Sequence, residues 1–412
     1  MSHVGRVARQ TAFLTIAQFT GLGISLIGTI LVARALGPEG RAVYAWLITL
    51  VGMAIQIALV APPTVVRSVA LTSPERLPAT LVLLSLAGSL ITLPLAAYVL
   101  IDEHIGREAR PFLLLAWLTV PVTATTLALT TLLQIEARVL PVLAVHVWPR
   151  IIQVALLLFY WLKGGLDLST AIAVFVFTAV LELVLALACV GPTMDSLRPS
   201  LKLVQRILAL LGAGWIASLA VFAVPRIGLI VLGSHAPLEA TGLYSVALTL
   251  QEAALIGPAA FGGVLITHVG RHGWFGRRTR VRGGASVLAF SAATCGIAAM
   301  IAPEFIALTF GPSFAPAAAA LRILLVSVVL ATLYQMCQPL LFSRGRPLPI
   351  AAPSLGACFV ALTVALVAVP RLGVSGAILS NLAGFAALVL LAFAFSIGEL
   401  RRPAAALPQP SP

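Results

Sequence analysis

Charge is what this sequence has least of. Only 9% of its 412 residues are Asp, Glu, Lys or Arg, where a soluble globular chain carries about a quarter. Acids are the scarcer sign, 13 against 26 basic residues, which leaves a formal net charge of +13. Cysteine occurs at four positions, Cys189, Cys295, Cys337 and Cys358, all in or beside apolar runs. With neither metal-ligand spacing nor an extracellular domain to staple, they read as small buried hydrophobes. Long connectors are missing as well, every one being shorter than about twenty residues, so no loop can house a soluble-type active site.

What remains is apolar. Hydrophobic residues make up 60% of the chain and its mean hydropathy is +1.08, the composition of an all-α polytopic membrane protein. The basic excess does not indicate nucleic acid, because it is dispersed over short connectors rather than gathered on one face.

Apolar stretches of about 18 to 25 residues set out about twelve transmembrane helices. They lie near 11–33, 42–67, 79–101, 111–134, 146–162 and 168–190, then near 208–232, 241–268, 284–303, 315–342, 347–369 and 374–397. The first run follows Arg6 and Arg9, is longer than a signal-peptide core and lacks a cleavage site, so it is expected to stay as a span. Eighteen of the 26 basic residues fall on the connectors that share a side with the N-terminus, Arg150 counted among them, and six on the other side. Both termini are therefore expected in the cytoplasm and the protein in the cell inner (plasma) membrane.

Between the first two spans lies ARALGPEGRAVYAW, Ala33 to Trp46, where Gly37, Pro38 and Gly40 permit a sharp turn and Arg34, Glu39 and Arg41 keep it polar. A second copy follows about two hundred residues later. Leu36-Gly37 before Tyr44 is echoed by Leu232-Gly233 before Tyr244, Gly40 by Gly242, and Pro62 by Pro258 at an offset of 196. Gln134 with Arg138 recurs as Gln338 with Arg344, at offsets of 204 and 206. The pattern implies two six-helix repeats. The expected organisation is an N-terminal lobe 1–190, a cytoplasmic linker 191–207, a C-terminal lobe 208–400 and a cytoplasmic tail 401–412.

These stretches resemble the polysaccharide transporter family of the multidrug, oligosaccharidyl-lipid and polysaccharide exporter superfamily. The resemblance is carried by ARALGPEGRAVYA, RIGLIVLG, TGLYSVALTLQEAALIGPA, LTFGPSFAPAAAALRILL and PRLGVSGAILSNLAG, in the family's order and over most of the chain. One departure is Pro225, where members often carry an acid or an aromatic before the arginine of span seven. The resemblance implies two bundles around a central cavity that opens alternately to either leaflet. It also implies a polyprenyl-pyrophosphate-linked oligosaccharide as cargo, with membrane lipids and polysaccharide-assembly proteins as further partners, and no cofactor.

Such a cargo needs a wet, cationic path, and arginine suits it because its planar fork grips phosphate and stays charged when dehydrated. Arg226 in span seven and Arg322 in span ten lie about 10 Å inside their outer ends. Each either lines the cavity or reaches back to the headgroups. Arg34 caps the cavity mouth or meets headgroups, and Arg67, after Pro62-Pro63, is a candidate gate. Gln18 and Gln56 could bond sugars or join helices. Glu252, about 17 Å into span eight, either neutralises Arg226 or carries a coupling proton. Glu182 in span six is the second coupling candidate, with no basic neighbour evident in the sequence.

Other readings are a drug or cation exporter of the same superfamily, and a transport-inactive scaffold. A third is a membrane-embedded glycosyltransferase using Asp102-Glu103 as metal and base ligands. The loop bearing Asp102 is short for an enzyme that must grip an acceptor, so the expectation is a transporter and not an enzyme.

Overall fold

The computed structural model describes residues 3–59, 66, 77–136, 138–191, 199–272, 277–342 and 347–401. They are almost entirely helical, with no strand among the described residues. Helix α1 (His3–Ala58) is followed by α2 (Leu77–Leu90), α3 (Leu93–Ile101), α4 (Ile105–Ala109), α5 (Leu113–Trp117), α6 (Thr119–Ile135), α7 (Val139–Leu162) and α8 (Leu168–Val190). Then come α9 (Leu201–Leu210), α10 (Ala213–Gly233), α11 (Leu238–His272), α12 (Arg277–Thr309), α13 (Ala317–Phe342), α14 (Pro347–Leu372) and α15 (Val374–Arg401).

Among the described residues nine helices are long and apolar enough to cross a membrane, or ten if the bent stretch 105–135 counts as one broken span. Two features reconcile this with about twelve expected spans. The 56 residues of α1 would measure about 84 Å if straight, against about 30 Å of hydrocarbon. Helical geometry breaks at Gly37, whose φ of 64° and ψ of −177° are open to glycine alone, so α1 supplies two spans. In α11, Gln251 and Glu252 lower the apolar average of a helix that is otherwise long enough.

Where the sequence reading ends the linker 191–207 and begins the seventh span, Leu201–Leu210 forms a short helix of its own and the next helix runs from Ala213. Alternation of Lys202, Gln205 and Arg206 with Leu203, Val204 and Ile207 makes α9 amphipathic. Leu203 and Ile207 are buried in a core with Leu81, Leu129, Val145 and Val190, and Ser200 caps the helix by accepting from the Leu203 amide.

The chain groups into two compact units. The first holds residues 1–215 with 237–242 and 309–313, the second 216–236, 243–308 and 314–412. Helices of the second unit pack through small residues: Ala357, Ala361 and Ala365, four apart on α14, are fully buried, and Ser380 of α15 donates to the Ala361 carbonyl at 2.7 Å. Without a hydrophobic drive between helices in lipid, such close backbone approach supplies the packing.

At the start of α8, Asp167 accepts from the Thr170 amide at 2.8 Å and from the Ser169 hydroxyl. The bonds from Thr170, then Ser169, hold its carboxyl below the usual carboxylate range. Its contribution is thus complete above the ordinary carboxylate pKa and is lost as pH falls through the lowered one. Asp167→Ala is expected to cost about 1 kcal/mol at neutral pH, and nothing once acid has protonated the wild type. Melting curves at both pH values check this.

Candidate functional site

Arg226 follows Pro225 inside α10, about 10 Å from the helix end at Gly233. Side chains in a helix lean towards its N-terminus, and this one runs back one turn. Nη1 donates to the Phe222 carbonyl at 2.8 Å, and the guanidinium carbon sits 3.6 Å from the centre of the Phe222 ring. That backward reach brings Nη2 to 2.9 Å from Oε1 of Glu252 on α11. Depths of about 10 and about 17 Å by residue count differ by about 7 Å, a gap that the lean of the arginine closes. The pair is partly open, with side-chain exposures of 19% and 30%. A lone charge at this depth would cost about 2.5–3.5 kcal/mol.

Behind the pair lies a closed amide network. Gln251, next to Glu252 on α11, donates from Nε2 to the Ser327 hydroxyl of α13 at 2.5 Å and to Asn381 Oδ1 of α15 at 3.1 Å. Asn381 Nδ2 returns a bond to Gln251 Oε1 at 3.1 Å and donates to the Pro225 carbonyl at 3.4 Å. Gln251, Ser327 and Asn381 are fully buried. Four helices are thereby tied to the residue preceding Arg226, which fixes where its fork can stand. Asn381→Ala is expected to destabilise by about 1–3 kcal/mol through unpaired Gln251 and Pro225 groups. An unchanged melting temperature in detergent would show that these bonds do not hold the site.

A second ion pair was not legible in the sequence. Arg150 had been placed on a cytoplasmic connector, yet it lies in the middle of α7, with Nε 3.2 Å from Oε1 of Glu182 on α8. Glu182 therefore has the basic neighbour that the sequence did not reveal.

The remaining sequence candidates lie elsewhere. Arg322 is exposed in the α13 row that also carries exposed Ile323 and Val326, and its Nε donates to the Ala299 carbonyl of α12 at 2.9 Å. It is not brought to the Arg226–Glu252 pair. Arg34 donates from Nε to the Thr309 carbonyl, the last residue of α12, at 2.6 Å, a cation at a helix C-terminus. Gln18 belongs to α1, with its side chain outside the described set, and Arg67 lies outside the described residues. Gln56 is half-buried in α1.

Asp102, one of the two acids of the glycosyltransferase reading, is engaged at the start of α4. Asp102 Oδ1 accepts from the amides of His104 and Gly106 at 3.0 and 2.9 Å, and the Asp102 carbonyl accepts from Arg110. Its carboxylate caps α4. No cluster of three metal-ligating side chains occurs among the described residues.

The sequence matches the model of the family described as polysaccharide biosynthesis protein over residues 7–266. No curated protein matches it. The fold is shared with the eukaryotic MATE transporter AtDTX14, at a TM-score of 0.70 and 15% identity over 95% of this chain and 96% of that one. It is shared equally with the lipid II flippase MurJ in an inward closed conformation, at a TM-score of 0.68 and 12% identity over 93% and 90%. An outward-facing multidrug resistance MATE family transporter of the MOP superfamily gives 0.66 and 14% over 94% of both chains.

Proposed function

We propose that this chain, which belongs to the polysaccharide biosynthesis protein family, moves a polyprenyl-pyrophosphate-linked oligosaccharide from the inner to the outer leaflet by alternating access. The observation that carries the proposal is the Arg226–Glu252 pair, a phosphate-gripping fork held deep in a span and left partly open. A pyrophosphate can take the place of Glu252 on the guanidinium, whose charge persists without water. The displaced carboxylate is then the group that can carry a coupling proton. The Gln251–Asn381 network keeps the fork in place while cargo exchanges. Lobes 1–190 and 208–400, joined by 191–207 and ending in the tail 401–412, are the bodies proposed to alternate. The inner membrane with both termini cytoplasmic is the proposed setting.

Shared fold with MATE transporters gives the second reading, export of a cationic drug. A cation needs an acid free to receive it, and Glu182 and Glu252, the two acids deep in described spans, are each held by an arginine. An anionic cargo agrees better with that arrangement.

The test is mass spectrometry of polyprenyl-linked glycans in a strain lacking the protein, with leaflet location probed by an impermeant sugar-modifying reagent. A finished, inward-facing glycolipid should accumulate. An unchanged lipid-linked pool would favour the drug exporter, and an unfinished glycan would point to an assembly role.

A further inference from the structure

We infer that Arg150 is a second pyrophosphate receptor, in the first unit, and that Glu182 is its positioning residue. The inference rests on the anionic cargo proposed above and names a further residue that would bind it.

Arg150 lies about 17 Å from either end of the 24-residue α7, near the middle of the hydrocarbon and beyond the reach of resting headgroups. The ion pair with Glu182 is lopsided. The carboxylate side chain is 11% exposed, whereas 37% of the arginine side chain is open. A purely structural pair in lipid would bury both partners, and well-packed apolar residues would serve as well.

Arg150 does not stand in the exposed apolar row of its helix. Trp148, Ile151, Leu158 and Leu162 form the exposed apolar row of α7, and Val142, Val145, Pro149 and Leu157 form its buried row. Arg150 stands about 100° around the helix from both Pro149 and Ile151, on the shoulder between the two rows. His146, one turn earlier, shares that shoulder, and Tyr44 of α1 lies within the arginine's electrostatic reach. Glu182 is met through Nε, so the Nη1–Nη2 edge is the one left for a second anion. Two parallel N–H donors on an open edge are the geometry that takes a phosphate bidentately.

The probe is undecaprenyl diphosphate, titrated by calorimetry into full-length protein in detergent, with phosphatidylglycerol as competitor. Removing both charges in Arg150→Met/Glu182→Leu avoids stranding one of them and should weaken binding about ten- to a hundredfold. Arg150→Lys keeps the charge and loses the fork, so it should weaken binding severalfold even if the double variant does not fold. Glu182→Gln keeps an oxygen that can accept from Nε while removing the negative charge, so it should bind at least as tightly as wild type. Wild-type affinity in a folded double variant, or in Arg150→Lys, would overturn the inference while leaving the proposed cargo intact. Displacement of the probe from Arg150 by equimolar phosphatidylglycerol would overturn it too, by assigning the residue to bulk lipid. Failure of the wild-type protein to bind the probe at all would instead remove the cargo reading, and this inference with it.

Discussion

Arg226→Ala is expected to lower export of the lipid-linked glycan at least about tenfold, because one charge-assisted phosphate contact is worth about 1.5–3 kcal/mol. It should also destabilise the protein by about 1–3 kcal/mol, between the values for surface and buried pairs, since Glu252 is left without the guanidinium 2.9 Å away. The two effects can be separated. Arg226→Met/Glu252→Leu removes both charges and should recover most of the lost stability, but none of the export. Arg226→Lys should recover part of the export, having charge without the fork. Glu252→Gln should still bind cargo and lose its dependence on a proton gradient. Export assays alongside melting curves of the purified variants distinguish these outcomes. Wild-type export by a folded Arg226→Ala would remove the residue from the path.

Gly242→Ala is expected to have the largest effect among the glycines. A Cβ there would stand 1.9 Å from the Pro38 carbonyl oxygen and 2.7 Å from its carbon. Both are backbone atoms of the first unit, beside the Gly37 break, and cannot yield as a side-chain tip would. A cost at or above the usual overpacking range of about 1–3 kcal/mol is expected, read as a lower melting temperature in detergent. Gly296→Ala is the control. Nothing lies within 4 Å of its added Cβ, and helix propensity alone predicts no loss and a gain of up to about 1 kcal/mol. Equal melting temperatures for the two variants would show that the contact with Pro38 gives way at little cost.

Gly242 also shows how the fold could be read from the chain. The echo of Gly40 by Gly242 marked the duplicated turn, and the close approach of Pro38 gives a physical reason for glycine at the second copy. Spans were legible because a hydrocarbon slab imposes one length on every crossing helix. Facing was not, because helices apolar on all sides carry little periodic signal to separate lipid from bundle. Arg322 had the right depth for a cavity and stands in a row with Ile323 and Val326. Arg150 was counted with the cytoplasmic connector although it falls near the start of the span read over 146–162, and it becomes central only because the helix extends back to Val139. Gln251 and Asn381, neutral amides 130 positions apart, leave no local mark at all. Their partnership exists only once α11 and α15 are packed.

The most direct measurement is leaflet transfer by the purified protein in vesicles. A polyprenyl-pyrophosphate-linked oligosaccharide is confined to one leaflet, and its arrival in the other is followed with an impermeant glycan-cleaving enzyme. Transfer should be protein-dependent and should fall at least about tenfold with Arg226→Ala. Transfer no faster than in protein-free vesicles would contradict the flippase reading.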